Sequence, residues 1–314
     1  MRKVILLLTV VAAWFGLSAA QDTPERGDLN IVVVAHGGAN NPWWVKPYNA
    51  ALAAGEDMGV NVEYLAPDTY DIPLMSQLID GAVAQSPDGL IISLPDVAGL
   101  SDSLQGAVDA GIPVFTINSG ADDFEALGAL RHFGQPESLA GQGAGEFMAE
   151  QGGTSAVCIN HEVGNNALDE RCAGFAEGFG GDVETLAVTQ DPSEVANAVT
   201  AFFQSNPDVD TILALGPQGS EPALQALQEA GLAGTVNFGS FDPSPITLQA
   251  VIDGEMLFLV DQQPYLQGYL PVVFMTQFLQ YGVLPSNKII ATGPGFVTAD
   301  NAEQVIALSA QGIR

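Results

Sequence analysis

The chain has 314 residues, of which 37 are acidic and eight basic, giving a formal net charge of −29. So few cations disfavour nucleic-acid binding, which depends on neutralising phosphates, and they disfavour adhesion to anionic membrane surfaces for the same reason. The acids are dispersed along the chain, as on a solvated surface, and not gathered in one tail.

Residues 1–20 read as an export leader outside the fold. Arg2 and Lys3 make a positive start, an apolar run extends from Val4 to Leu17, and Ser18, Ala19 and Ala20 offer small residues for cleavage near Ala20. That run is short for a membrane span, and no later segment offers about 18 uninterrupted apolar residues. No Cys follows the run at the mature start, so a free, soluble protein of a compartment such as the periplasm is expected. Roughly 290 residues remain, enough for two α/β lobes. Cys158 and Cys172 lie among them. In an oxidising compartment an even pair reads as a disulfide. Two buried thiols, packed as small hydrophobes, are the alternative.

Short apolar runs mark strands at 30–35, 61–66, 89–93, 113–117, 155–160, 183–188, 210–215, 235–239, 257–261 and 288–291. Strands buried on both faces of a parallel sheet have this character. Amphipathic helices separate them. Met75, Leu78, Ile79, Ala82 and Val83 follow a helical stripe, as do Val195, Val199, Phe202 and Phe203. Asp191 is expected to cap the second of these helices, with Pro192 at its first position and Glu194 completing a capping box. Repeated βα units imply right-handed crossovers. Ten strands imply two sheets, hence an α/β fold of two Rossmann-like, doubly wound lobes. The break falls near Gly134-Gln135-Pro136, after an extended segment at 130–133.

The first strand is followed within a few residues by Asn40-Asn41-Pro42-Trp43-Trp44. This places two amides and two large aromatic faces at a strand's carboxyl end, where open α/β sheets bind ligands. The tryptophans either pack a strand–helix corner or form a platform for the C–H face of a sugar ring. Polar residues also gather at the other strand ends: Asp96, Asn118 and Ser119, then His161, Glu162, Asn165 and Asn166, and later Gln190, Gln218, Asp242, Gln262 and Gln263. Each alone reads as a cap or turn residue. Jointly, on two lobes facing each other by those edges, they line a cleft.

Enzyme readings find less support. Gly141-Gln142-Gly143-Ala144-Gly145 is similar to a dinucleotide loop, but its third Gly comes too early and it lies within a helical pattern, so close helix packing is expected. His161-Glu162 lacks the second His of a zincin helix, and the three His and two Cys have no recognised metal spacing. No cofactor, metal or catalytic residue is expected.

In chain order, Asn41-Pro42-Trp43-Trp44, the segment from Gly111-Ile112-Pro113-Val114 to Asn118, Glu170-Arg171 with Gly174-Phe175, Gly239-Ser240-Phe241-Asp242 and Asp261-Gln262-Gln263-Pro264 form a specific set. Over essentially the whole mature chain this set resembles the periplasmic solute-binding proteins of the ribose/galactose-binding type, which feed ATP-driven importers. The resemblance implies the type I fold: two lobes joined by a three-segment hinge, residues 28–135 with 264–294 in one and 136–263 with 295–314 in the other. It implies a sugar enclosed between the lobes, a membrane permease as partner, a monomer, and no enzymatic activity. Carried over, Asn41, Trp43 and Trp44 would contact the ligand from the first lobe, and Arg171, Asp242 and Gln262 from the second lobe and hinge. The strand-end reading adds Asn118, Ser119, His161 and Asn165.

Two departures matter. Asn118-Ser119 stand where ribose binders carry Asp-Arg, and Gly216-Pro217 where they carry Asn-Asp. Both argue against ribose itself, and the second for a roomier pocket. Arg171, as the sole cation expected in the cleft, disfavours strongly anionic ligands. Lys46 is expected to face outward. A neutral sugar or polyol fits best. The alternatives are an autoinducer or nucleoside-like ligand, and a periplasmic enzyme using Asp242 or Glu162 as base.

Overall fold

The computed structural model describes residues 24–309 and 311–314; the expected leader lies outside them. The chain first lays down β1 (Asn30–Val34), α1 (Val45–Met58), β2 (Asn61–Leu65), α2 (Ile72–Ala84), β3 (Gly89–Ser93), α3 (Val97–Asp109), β4 (Val114–Ile117) and β5 (Arg131–Gly134). It then crosses over and forms α4 (Glu137–Glu150), β6 (Ser155–Asn160), α5 (Asn166–Phe179), β7 (Asp182–Ala187), α6 (Pro192–Ser205), β8 (Thr211–Ala214), α7 (Pro217–Ala230), β9 (Asn237–Phe241), α8 (Pro245–Ile252) and β10 (Phe258–Asp261). It returns through α9 (Pro264–Tyr281) and β11 (Ile289–Ala291), and crosses once more into β12 (Gly295–Val297) and α10 (Ala302–Ser309).

Two six-stranded sheets result, ordered β11-β5-β4-β3-β1-β2 and β12-β10-β9-β8-β6-β7. All pairings are parallel except β10 with β12. This is the expected pair of doubly wound lobes. The chain passes between them three times, after β5, β10 and β11, so the three connecting segments lie side by side as a hinge.

The apolar runs work as parallel strands because both faces of each sheet are covered. In β1, Ile31 and Val33 join the core beneath α1 and α9, while Val32 and Val34 join the core beneath α2 and α3. Each such fully buried aliphatic side chain contributes about 1.5–3 kcal/mol. In α2 the expected stripe is buried at Met75, Ile79 and Ala82 and half-buried at Leu78 and Val83.

Several local expectations are corrected. β5 and β12 were not among the ten expected strands. They are four and three residues long, and Arg131 and His132 interrupt the apolar pattern of β5. β9 begins two residues later than expected, because the N–H groups of Thr235 and Val236 donate to Leu232 in a turn. Asp191 does cap α6, accepting from Ser193 and Glu194. The box does not close: the Glu194 carboxylate accepts the Thr189 hydroxyl, and the Asp191 N–H donates to Thr189 Oγ1.

The glycine-rich stretch of α4 packs against α5, as its helical pattern implies. A Cβ on Gly141 or Gly145 would sit 2.2–2.3 Å from α5 carbonyls, and one on Gly174 or Gly178 would sit 2.0–2.1 Å from α4 carbonyls. The helices therefore meet backbone to backbone. A disulfide between Cys158 and Cys172 ties α5 to β6.

Candidate functional site

The carboxyl ends of both sheets face each other across a narrow cavity of about 30 Å³. That is far below the roughly 300–1,000 Å³ of small-molecule sites, so the lobes stand closely apposed over the polar residues between them. The lobes also touch directly. The Asn166 N–H donates to the Pro95 carbonyl at 2.9 Å, and Lys46 Nζ donates to the Pro243 carbonyl at 2.9 Å.

From the first lobe, the turn after β1 supplies Trp43 and Trp44. Their rings meet edge to face, 4.5 Å apart at 77°, and His36 lies edge-on to Trp44 at 4.5 Å. Gly37 makes this possible, since a Cβ there would lie 2.1 Å from the Trp44 ring. Both indoles belong to the first-lobe core and also line the cavity, so corner packing and a cavity wall are combined. The Trp43 Nε1–H is buried without a hydrogen-bond partner, yet is close enough to the Asp242 carboxyl to favour its ionised form.

Matching positions on the two sheets supply Asn118 and Asp242, each directly after a central strand and each left-handed, at φ 63° and φ 64°. Asn and Asp tolerate this region better than other non-glycine residues. Such backbone turns the side chain off the strand and into the cleft. Asn118 Nδ2 donates to Gln262 Oε1 at 3.3 Å, and Gln262 Nε2 donates to Asp242 Oδ1 at 2.8 Å, so one amide in the hinge links the lobes.

Arg171 projects from α5 and is 2 % exposed. Glu137, at the start of α4, grips it through two hydrogen bonds of 2.6 and 3.0 Å. Arg171 also donates to the Leu215 carbonyl, lies 3.7 Å from Asp242, and stacks over the Phe241 ring at 4.4 Å. Burial would lower its pKa, but the charge and hydrogen bonds of Glu137 outweigh that and raise it. Burial is also the largest influence on Asp242, and despite Arg171 it pushes this carboxyl up to about 6. Burial likewise raises Glu162, against the hydrogen bonds of Asn165 and the charge of Arg171. His36 and His161 are held down at about 3 by burial and by Arg171, and are neutral.

Of the residues expected at the site, Trp43, Trp44, Asn118, His161, Asn165, Arg171, Asp242 and Gln262 line the cavity. Asn41 and Ser119 do not. Asn41 Oδ1 instead accepts the Trp43 and Trp44 N–H groups at 2.9 and 3.2 Å and so shapes the turn that carries them. The Ser119 hydroxyl donates to Asn118 Oδ1 and orients it. Lys46 does not face outward; it is 3 % exposed and spans the lobes. The space beside Gly216 is not roomier, because the His161 ring fills it, 3.0 Å from where a Cβ would stand.

Sequence reasoning missed His36 and Glu137 and did not select Glu162. His36 follows β1 as Glu162 follows β6, so the strand-end rule could have found it. Glu137 carried no such signal, since its role depends on the packing of α4 against α5. Among the described residues no group of three or more His, Cys, Asp or Glu could hold a metal, and no helix is long and apolar enough to cross a membrane.

A family model for the periplasmic binding protein domain matches residues 31–282. The chain is 30 % identical to a carbohydrate transporter from Acidothermus cellulolyticus, solved in complex with myo-inositol; the match covers 91 % of this chain and 99 % of that one, with a TM-score of 0.86. It is 26 % identical over 302 residues to a xylose/arabinose-binding protein of Sulfolobus acidocaldarius, covering 91 % of this chain and 75 % of the relative. It is also 26 % identical over 270 residues to a ribose import binding protein of Salmonella typhimurium, covering 84 % and 88 %.

Proposed function

Because the chain belongs to the periplasmic binding protein family, we propose that it captures a neutral sugar or sugar alcohol by closing two lobes around it and delivers it to the membrane permease of an ATP-driven importer. It works in the periplasm as a monomer, after removal of its leader near Ala20, and turns nothing over.

The observation that carries this reading is that Arg171 lines a cavity walled by indoles and amides while Glu137, behind it, already pairs with its guanidinium. The guanidinium is neutralised before any ligand arrives. The site therefore offers directed donors and acceptors without net positive charge, which suits hydroxyls and not phosphates or carboxylates. The Trp43 face suits the apolar side of a ring. Closure follows from differential contact: a ligand that touches both lobes binds the closed form better than the open one.

A thermal-shift screen with pentoses, hexoses, cyclitols and nucleosides tests the reading. A ligand held only by the folded state raises its stability by RT ln(1 + [L]/Kd), about 2.7 kcal/mol at a hundredfold excess over Kd. Stabilisation without turnover is expected, and Trp43→Ala and Asp242→Ala should each weaken calorimetric affinity by about tenfold or more. No response to any neutral polyhydroxylated compound would defeat the proposal.

A further inference from the structure

His36 and Glu162 come from opposite lobes, one after β1 and the other after β6, and both line the cavity. His36 is 5 % and Glu162 8 % exposed. The hydrogen bonds around His36 define its tautomer. Ser93 Oγ accepts the His36 backbone N–H at 3.0 Å and lies 2.8 Å from Nδ1. Ser93 is fully buried, and its hydroxyl proton finds its acceptor in Nδ1. The imidazole proton is then on Nε2, directed at Glu162.

Glu162 is equally constrained. Asn165 Nδ2 donates to Oε2 at 2.7 Å and Gln190 Nε2 donates to Oε1 at 2.8 Å. Two amide donors facing the carboxyl mark it as an acceptor. His36 Nε2 and Glu162 Oε2 are 3.8 Å apart. That is too long for a direct hydrogen bond, while one oxygen can stand about 2.8 Å from both atoms. A hydroxyl there accepts from the imidazole and donates to the carboxylate. Trp43 and His161, which line the same cavity, each carry a buried nitrogen without a hydrogen-bond partner, Nε1 and Nδ1.

We propose that His36 and Glu162 form a specificity subsite shared by the two lobes, which reads a single ligand hydroxyl as donor and acceptor at once. The inference rests on the polyol reading of the cavity. It makes this pair, together with Arg171 and Asp242, a determinant of which polyol is accepted. A ligand lacking that hydroxyl leaves a buried donor and a buried acceptor without a partner, and is rejected far more strongly than a missing methylene would be. The same hydroxyl touches both lobes, so reading it and closing on it are one event.

The test is a cycle between protein and ligand. The best-binding polyol of the screen and its monodeoxy analogues are titrated calorimetrically into the wild type, His36→Ala and Glu162→Gln, with circular dichroism establishing that each variant is folded. For one deoxy position the wild type should lose about tenfold to a hundredfold in affinity, while in each variant the same deletion costs less than about threefold. Glu162→Gln retains shape and both neighbouring amides, so it reads the interaction if His36→Ala proves unstable. Equal losses in wild type and variants at every position would overturn the subsite while leaving the polyol reading intact. A wild type that binds no polyol at all would overturn both.

Discussion

Asp242 joins stability and the proposed ligand site in one side chain. Burial raises its folded pKa from the ordinary 3.8 to about 6, so the unfolded chain ionises at a lower pH than the folded one. The folded state is therefore penalised progressively as pH rises from about 4 to about 6, and by a constant amount above that. The full cost is about 3 kcal/mol, at about 1.4 kcal/mol per tenfold in the proton equilibrium. An amide of the same shape carries no such penalty. Asp242→Asn is expected to raise the unfolding temperature of the ligand-free protein at pH 8 and to leave it nearly unchanged at pH 4, as read by scanning calorimetry. The same change should weaken ligand binding, the usual conflict between a stable site and a working one. An equal gain at both pH values would mean that the carboxylate's charge is not the cause. At this scale the type of residue was legible in the sequence, because a carboxylate or amide at a strand's end is a local signal. Which partner each one meets was not: Glu137 and Arg171 are 34 residues apart, and Asn118 and Gln262 are 144 apart.

Among the elements, the contact between α4 and α5 has the least tolerance. Gly145 lies where a Cβ would stand 2.3 Å from the Phe175 carbonyl and 2.5 Å from the Phe179 nitrogen, both backbone atoms that cannot swing aside. Gly143, two residues earlier, points elsewhere, and its Cβ would meet only the Phe296 ring at 3.4 Å. Gly145→Ala is expected to lower the unfolding temperature clearly. Gly143→Ala should raise it slightly, since Ala is favoured over Gly by about 0.8–1 kcal/mol within a helix. Thermal unfolding followed by circular dichroism compares the two, and the same ranking should appear with and without ligand. The spacing of these glycines, within an apolar helical pattern, was enough to point to close packing. Ten of the twelve strands were legible, three-residue β11 among them because it falls in an apolar run. β12 was not legible, because Gly295, Phe296 and Val297 stand beside Gly293 and Pro294 with no apolar run around them, and β5 was read only as an extended segment, because polar side chains interrupt it.

For the molecule as a whole, the balance between open and closed forms involves residues outside the cavity. Lys46 is the clearest. Its buried ammonium donates across the lobes to the Pro243 carbonyl, although burial lowers its pKa against the pull of Asp242, Asp261 and Glu221. Lys46→Met keeps the apolar stem and removes the donor, leaving a carbonyl unpaired in the closed form only. The variant is expected to lose about tenfold in ligand affinity, and its ligand-free form to scatter X-rays as a more open particle. Unchanged affinity and unchanged radius of gyration would show that the bond adds nothing to closure. At the hinge, Asp261 is fully buried and paired with Arg314, so the last segment of the chain is tied to the strand on which the lobes turn.

The amino-acid sequence by itself determined the alternation of strands and helices, the division into two lobes, and the edge of each sheet that carries polar chemistry. Periodicity, turn residues and strand-end polarity are local properties, written within a dozen residues of each other. Only the tertiary structure decided that Asn41 shapes a turn while Trp43 faces the cavity, that Lys46 points inward, that His161 fills the space left by Gly216, and that His36 stands opposite Glu162. The first and third are set by how side chains settle within one lobe, the second and fourth by which atoms meet when two separately folded sheets close on each other; neither kind of contact leaves a periodic trace in the chain.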